Sequence, residues 1–159
     1  MYSSSELNKQ LYFFYGTLRD PEVLGLVLKN ECHPSLVREA KLLGHVLKNA
    51  VGEDFPIIET SDRLDDFALG ALYCGINEDG RRRLIYFEGE EYDLKSVKID
   101  NVDVMCFFPS DLSYEAQGSW SFDNWRSQEH KYQTYLAQVA DYMAHFGLDS
   151  DFVWKSENK

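Results

Sequence analysis

The chain has 159 residues, 44% hydrophobic and 14% aromatic, with four prolines, a make-up that suits one folded domain with a real core and leaves no room for two. A formal charge of −11 repels phosphate-rich partners, so neither nucleic acid nor an anionic membrane surface is an expected partner. No apolar run nears the roughly 20 residues of a membrane span, and "MYSSSELNKQ" has neither a basic nor an apolar leader segment, so the expected location is the cytoplasm.

Residues 1–10 read as a short polar tail, and 11–159 as a single domain. "LYFFYGTL" is rich in strand formers and too short for a helix, which predicts a buried strand. "RDPEVLGLVLKN" then carries a full helix-start signal. Asp20 is a capping residue, Pro21 suits the first helical position, and Glu22 complements the positive end of the dipole. Val23, Leu24, Val27 and Leu28 give that helix an apolar face.

The middle of the chain is strand-like. "AKLLGHVLKNAV", "FPIIET" and "FALGALYCGI" are short apolar segments punctuated by glycine, proline or charge. "NEDGRRR" reads as a turn into a short helix, "RRRLIYFEG", with the arginines Arg81, Arg82 and Arg83 on a solvated face. "YDLKSVKI" and "VDVMCFF", joined at Asp100-Asn101, predict a hairpin. From Asp123 to Phe146 the period becomes helical. Tyr132, Tyr135, Leu136, Val139, Tyr142, Met143 and Phe146 form a stripe expected to be core, and Gly147 closes the helix. The pattern predicts an α+β fold with a strand-rich centre and helices packed against it.

Metal and nucleophile chemistry find little support in these residues. His33, His45, His130 and His145 are scattered, and Cys32, Cys74 and Cys106 form no CxxC pair. The expectation is reduced thiols, no metal site and no cofactor. There is no GxSxG motif, and Cys32-His33 are sequence neighbours whose side chains seldom converge.

Two stretches carry more. In Tyr15-Gly16-Thr17-Leu18-Arg19-Asp20, a glycine after a strand lets backbone approach a ligand, and successive turn N–H groups can form an anion nest. The same residues also read as plain strand–turn–helix punctuation. In Phe87-Glu88-Gly89-Glu90-Glu91-Tyr92, a carboxylate held against apolar surface has the raised pKa that a general acid or base needs. On these residues alone, three glutamates facing water at a helix end is the simpler account.

Taken together, "YGTLR", "FPII", "LGALY" and "FEGEEY" in this order resemble the γ-glutamylcyclotransferase-like family, and within it the AIG2-like branch. The resemblance runs from about Leu11 to Phe108. It implies a small twisted mixed β-barrel with flanking helices that encloses a cavity. It implies a substrate-binding loop at Tyr15, Gly16, Thr17, Leu18, Arg19 and Asp20, and an acid/base glutamate at Glu88. The implied reaction is intramolecular aminolysis, in which the α-amine of a γ-glutamyl compound attacks its own γ-carbonyl. It releases 5-oxoproline and an amine or amino acid, and it needs no metal and no cofactor. The chain departs from the family pattern at two places, with Ile85 where an aspartate is common and Leu94 where an arginine is common. A binding module that keeps the cavity without turnover is the rival reading. A third is an interaction domain using Trp120 and Trp125, although "GSWSFDNW" is expected to pack over the barrel as a connection into the last helix.

Overall fold

A computed structural model describes residues 10–29, 32–53, 55–110 and 115–147. The tail reading for residues 1–10 therefore lies almost wholly outside the described residues. Strand β1 (Leu11–Phe14) is the axis of the fold. It pairs antiparallel with β5 (Phe67–Cys74) and parallel with β7 (Val102–Pro109). With β2 (Ser35–Leu43) and β6 (Tyr92–Ile99) outside them, these make a five-stranded mixed sheet in the order β2-β5-β1-β7-β6. A three-stranded antiparallel sheet of β4 (Pro56–Thr60), β3 (His45–Ala50) and the short β8 (Ala116–Gln117) continues from β2 through Gly44. Gly44 has φ +73, a left-handed corner that suits glycine.

The central strand is buried on both faces because side chains alternate along it. Phe13 and Tyr15 join Ala40, Leu42, Ile58 and Cys106 in one core cluster. Tyr12 and Phe14 point the other way, into a cluster completed by the helices. The outer strands of the large sheet are drawn together, with Arg38 on β2 in a 2.7 Å ion pair with Asp100 at the end of β6. This curl is the twisted, barrel-like α+β architecture expected of the chain.

Four helices flank the sheets. In α1 (Pro21–Leu28), the Val23 N–H donates to Asp20 Oδ2 at 3.3 Å, so Asp20 caps as its sequence position implies. Helix α2 (Glu78–Glu88) starts three residues earlier than the arginine run, because Asn77 accepts from the Gly80 N–H at 2.8 Å and makes "EDG" the first turn. The predicted hairpin is present, with Asp100 and Asn101 at φ 51 and 67 in the turn between β6 and β7.

Two expectations need correcting. The C-terminal helical stretch is two helices, α3 (Phe122–Ser127) and α4 (Glu129–Met143), separated at Gln128, where ψ is 80, and the second is capped at Ala144, before the expected stop at Gly147. The arginine run is also not simply a solvated face. Arg83 is only 6% exposed. Its Nε donates to the Val27 carbonyl at 2.6 Å and its guanidinium lies 4.7 Å from the centre of the Phe146 ring. Arg83 thereby satisfies a carbonyl near the end of α1, a group that a helix terminus leaves without an internal partner.

Candidate functional site

A cavity of about 290 Å³ opens where β1 ends. Four parts of the chain converge on it. The first is the turn that follows β1, with Tyr15, Gly16, Thr17 and Leu18 in the wall. Tyr15 is buried, and its hydroxyl donates to the Phe107 carbonyl at 2.8 Å, fixing the end of β1 to β7. Burial holds this phenol well above its ordinary pKa, and the nearby Cys106 thiol and Glu88 carboxylate push in the same direction. Tyr15 therefore stays a neutral donor. Thr17 to Arg19 form one turn of 3-10 helix, closed by Arg19 N–H to Gly16 O and Asp20 N–H to Thr17 O, both at 3.0 Å. The first N–H groups of such a turn, at Thr17 and Leu18, have no acceptor inside it.

The second part is the end of α2. Glu88 is its last residue, half-buried, and it faces the cavity beside Phe87. Gly89, at φ +75, turns the chain sharply toward β6. Tyr92 and Glu91 also border the cavity; Glu90 and Glu91 are both exposed, and Glu90 lies outside the wall. Ser110 pins this corner, its N–H on the Glu91 carbonyl at 2.7 Å and its hydroxyl on the Glu90 carbonyl at 3.2 Å. Of the three glutamates, two thus share the cavity. The sequence has no sign of this for Glu91, because its side depends on the turn at Gly89.

The third part is α4. Tyr135, Gln138, Val139 and Tyr142, at steps of three and four, line the cavity beside the turn. The stripe read as core is therefore divided. Tyr132 and Met143 are buried in the core away from the cavity, Val139 is buried and borders it, and Tyr135 and Tyr142 belong to its wall. Spacing alone marks a helix face, and that face serves equally as packing or as wall. Phe55 and Pro56, from the start of β4, complete the enclosure.

Not every residue of the proposed loop lines the cavity. Arg19 turns away from it, 3.7 Å from Glu39 and with its guanidinium 4.4 Å from the centre of the Phe122 ring. Partial burial lowers its pKa, against the opposing influence of Glu39 and Asp123. Asp20 is buried beneath the turn. It caps α1, accepts the Tyr132 hydroxyl at 2.5 Å, and lies 3.5 Å from Arg126. Ile85 and Leu94, the two departures from the family pattern, are buried in the helix-side core, so no charge is lost from the cavity wall at either position. Trp120 and Trp125 pack with Phe122 in one aromatic group over which the chain enters α4, as expected of a connection. Among the described residues no group of three or more His, Cys, Asp or Glu side chains is arranged to hold a metal. No helix among them is long and apolar enough to cross a membrane.

Comparison with known proteins places this arrangement. A family model described as "Gamma-glutamyl cyclotransferase, AIG2-like" matches residues 12–127. "Protein AIG2 A" of Arabidopsis thaliana is 28% identical over 133 residues, covering 79% of this chain and 75% of that protein. The solution structure of At5g39720.1 from Arabidopsis thaliana superposes with a TM-score of 0.60 at 24% identity, covering 92% of this chain and 98% of that one. A structure titled "Gamma-glutamyl cyclotransferase" gives 0.54 at 16% identity, covering 85% and 98%; at such identities the two structures speak to the fold. The match of more than two-thirds of the sequence, through both the turn after β1 and the end of α2, decides the family: the chain belongs to the γ-glutamyl cyclotransferase, AIG2-like proteins.

Proposed function

We propose that this protein is a γ-glutamyl cyclotransferase that converts a γ-glutamyl amine or peptide to 5-oxoproline and a free amine or amino acid. One observation carries the reading: Glu88 and the Tyr15–Leu18 turn line a single cavity, with Glu88 near enough to Tyr15 to act on its phenol. The substrate supplies its own nucleophile, tethered to the carbonyl it attacks, so the protein has only to hold the chain folded back on itself and to manage protons and charge.

Glu88 takes a proton from the α-ammonium group. The freed nitrogen attacks the γ-carbonyl, and a C–N bond forms as the carbonyl π electrons move onto oxygen. N–H groups of the turn at Thr17 and Leu18 stabilise that oxyanion. As it collapses, the old C–N bond breaks and Glu88 returns its proton to the departing nitrogen. The ring nitrogen sheds its remaining extra proton to water, and the released amine takes one up. Effects of about a hundredfold or more are within reach of each group alone. Phe55, Phe87 and Tyr142 give the cavity an aromatic wall.

The test is turnover. Purified protein is incubated with a panel of γ-glutamyl amines and dipeptides, and 5-oxoproline is followed by mass spectrometry with Glu88→Gln as the paired control. Product from the wild type and little from the variant supports the reading. Saturable ligand binding without product from any member of the panel replaces it with the binding-module reading.

A further inference from the structure

Helix α4 lies beyond the part of the chain that the family model matches, which ends at residue 127. Yet it holds the turn after β1 in two places. The Tyr132 hydroxyl donates to Asp20 Oδ2 at 2.5 Å, and the Tyr135 and Thr17 hydroxyls share a 2.8 Å hydrogen bond. Tyr132 and Tyr135 are three residues apart on one helix face, and Thr17 and Asp20 are three apart on the turn. The two bonds therefore run side by side, like a clasp. Thr17 and Asp20 are also the two ends of the hydrogen bond that closes the 3-10 turn, Asp20 N–H to Thr17 O at 3.0 Å.

From this pairing we infer that Tyr132 is a positioning residue for the proposed reaction: through Asp20, and in parallel with Tyr135 on Thr17, it fixes the turn whose N–H groups are to meet the oxyanion. The inference rests on the cyclotransferase reading of the cavity. Tyr132 does not line the cavity, and its ring is already held by Trp125 at 5.5 Å and by the Arg126 guanidinium at 3.6 Å. Its hydroxyl is the part of the side chain that meets the turn's capping carboxylate. A donor placed by a short chain of buried hydrogen bonds tolerates little slack, since an N–H shifted by an ångström no longer reaches the oxyanion at bonding distance. The arrangement also gives Asp20 its role. It is the anchor of the turn, beneath the site and not in it.

The experiment uses the full-length protein at a temperature where circular dichroism reports it fully folded. Tyr132→Phe keeps the ring and its packing and removes only the hydroxyl. The expected result is a fall in kcat of about tenfold, less than the loss from deleting an oxyanion donor outright, with KM within about twofold. Amide hydrogen exchange at Arg19 and Asp20, the N–H groups that close the turn, becomes faster, while exchange in β5 stays as in the wild type. Unchanged kcat in Tyr132→Phe, or unchanged exchange at Arg19 and Asp20, overturns the inference even if Glu88→Gln is inactive. A wild type that turns over no γ-glutamyl compound fails the parent reading instead, and the exchange data alone then judge the clasp.

Discussion

Gly70→Ala tests how tightly the strand that delivers the site is held. Gly70 lies on β5 beside the pair formed by Ala71 and Phe14. A methyl carbon built there falls 2.5 Å from the Phe14 carbonyl oxygen and 2.6 Å from two atoms of the Phe13 ring. Ordinary contact begins at 3.4 Å, so β1 has to withdraw from β5 by about 0.9 Å. The obstacle is backbone, and the ring is packed in the core at 1% exposure, so neither yields as a flexible side chain does. Overpacking a core costs about 1–3 kcal/mol, and this position belongs at the upper end. For a chain of this size about 3 kcal/mol lowers the melting midpoint by roughly 6–12 °C. Urea and thermal unfolding give the stability, and turnover measured well below the midpoint gives the second readout. Displacing β1 also moves the Tyr15–Leu18 turn, so the folded variant should lose activity as well. A variant within about 0.5 kcal/mol of the wild type refutes the reasoning, because it means that β1 and β5 part without cost.

Glu88→Gln keeps size and hydrogen-bonding capacity but not basicity, and turnover should fall by about 10²–10⁴-fold with ligand affinity little changed. Glu90→Gln, on an exposed side chain outside the cavity, should stay near wild type; a sensitive Glu90 in the same kinetic assay contradicts the site assignment. Gly16→Val brings a carbon to 3.2 Å from the Pro56 ring, another part of the cavity wall. Calorimetric affinity for a γ-glutamyl ligand should then drop far more than the melting midpoint does, whereas plain unfolding makes the glycine structural. Stability should also fall in alkali. Burial, partly opposed by Arg81, pushes the Tyr12 phenol from 10.0 up to about 12. The unfolded tyrosine therefore ionises first, and the stabilising contribution, full below pH 10, is lost as pH rises toward 12. Urea midpoints across that range should decline less steeply for Tyr12→Phe, and parallel slopes contradict the assignment.

The parts of the fold legible in the sequence were those set by local chemistry. Alternation in "LYFFY" becomes two core clusters on the two faces of β1. Asp20-Pro21 starts a helix because Asp20 accepts the Val23 N–H, and Asp100-Asn101 turns a hairpin because these residue types tolerate the positive φ that the turn needs. What was not legible depends on tertiary placement. Arg83 looks like its two neighbours until α1 supplies a carbonyl and Phe146 a ring. Glu91 and Glu90 are both exposed, and only the turn at Gly89 decides that Glu91 is the one at the edge of the cavity. The α4 stripe announces a buried face without saying that part of it borders empty space. In the turn after β1, the residue types are compatible with ligand contact throughout. Only the packing separates Tyr15 to Leu18, in the wall, from Arg19 and Asp20, which bond elsewhere.

Isotope labelling in the reaction product tests the central claim most directly. Wild-type protein is given a γ-glutamyl amine in ¹⁸O-water, beside a protein-free control, and the glutamyl product is weighed by mass spectrometry. Intramolecular aminolysis predicts enzyme-dependent 5-oxoproline with no added ¹⁸O, since the nucleophile is the substrate's own nitrogen. Glutamate carrying ¹⁸O contradicts the account, because water has then made the attack that Glu88 and the turn are proposed to reserve for the amine.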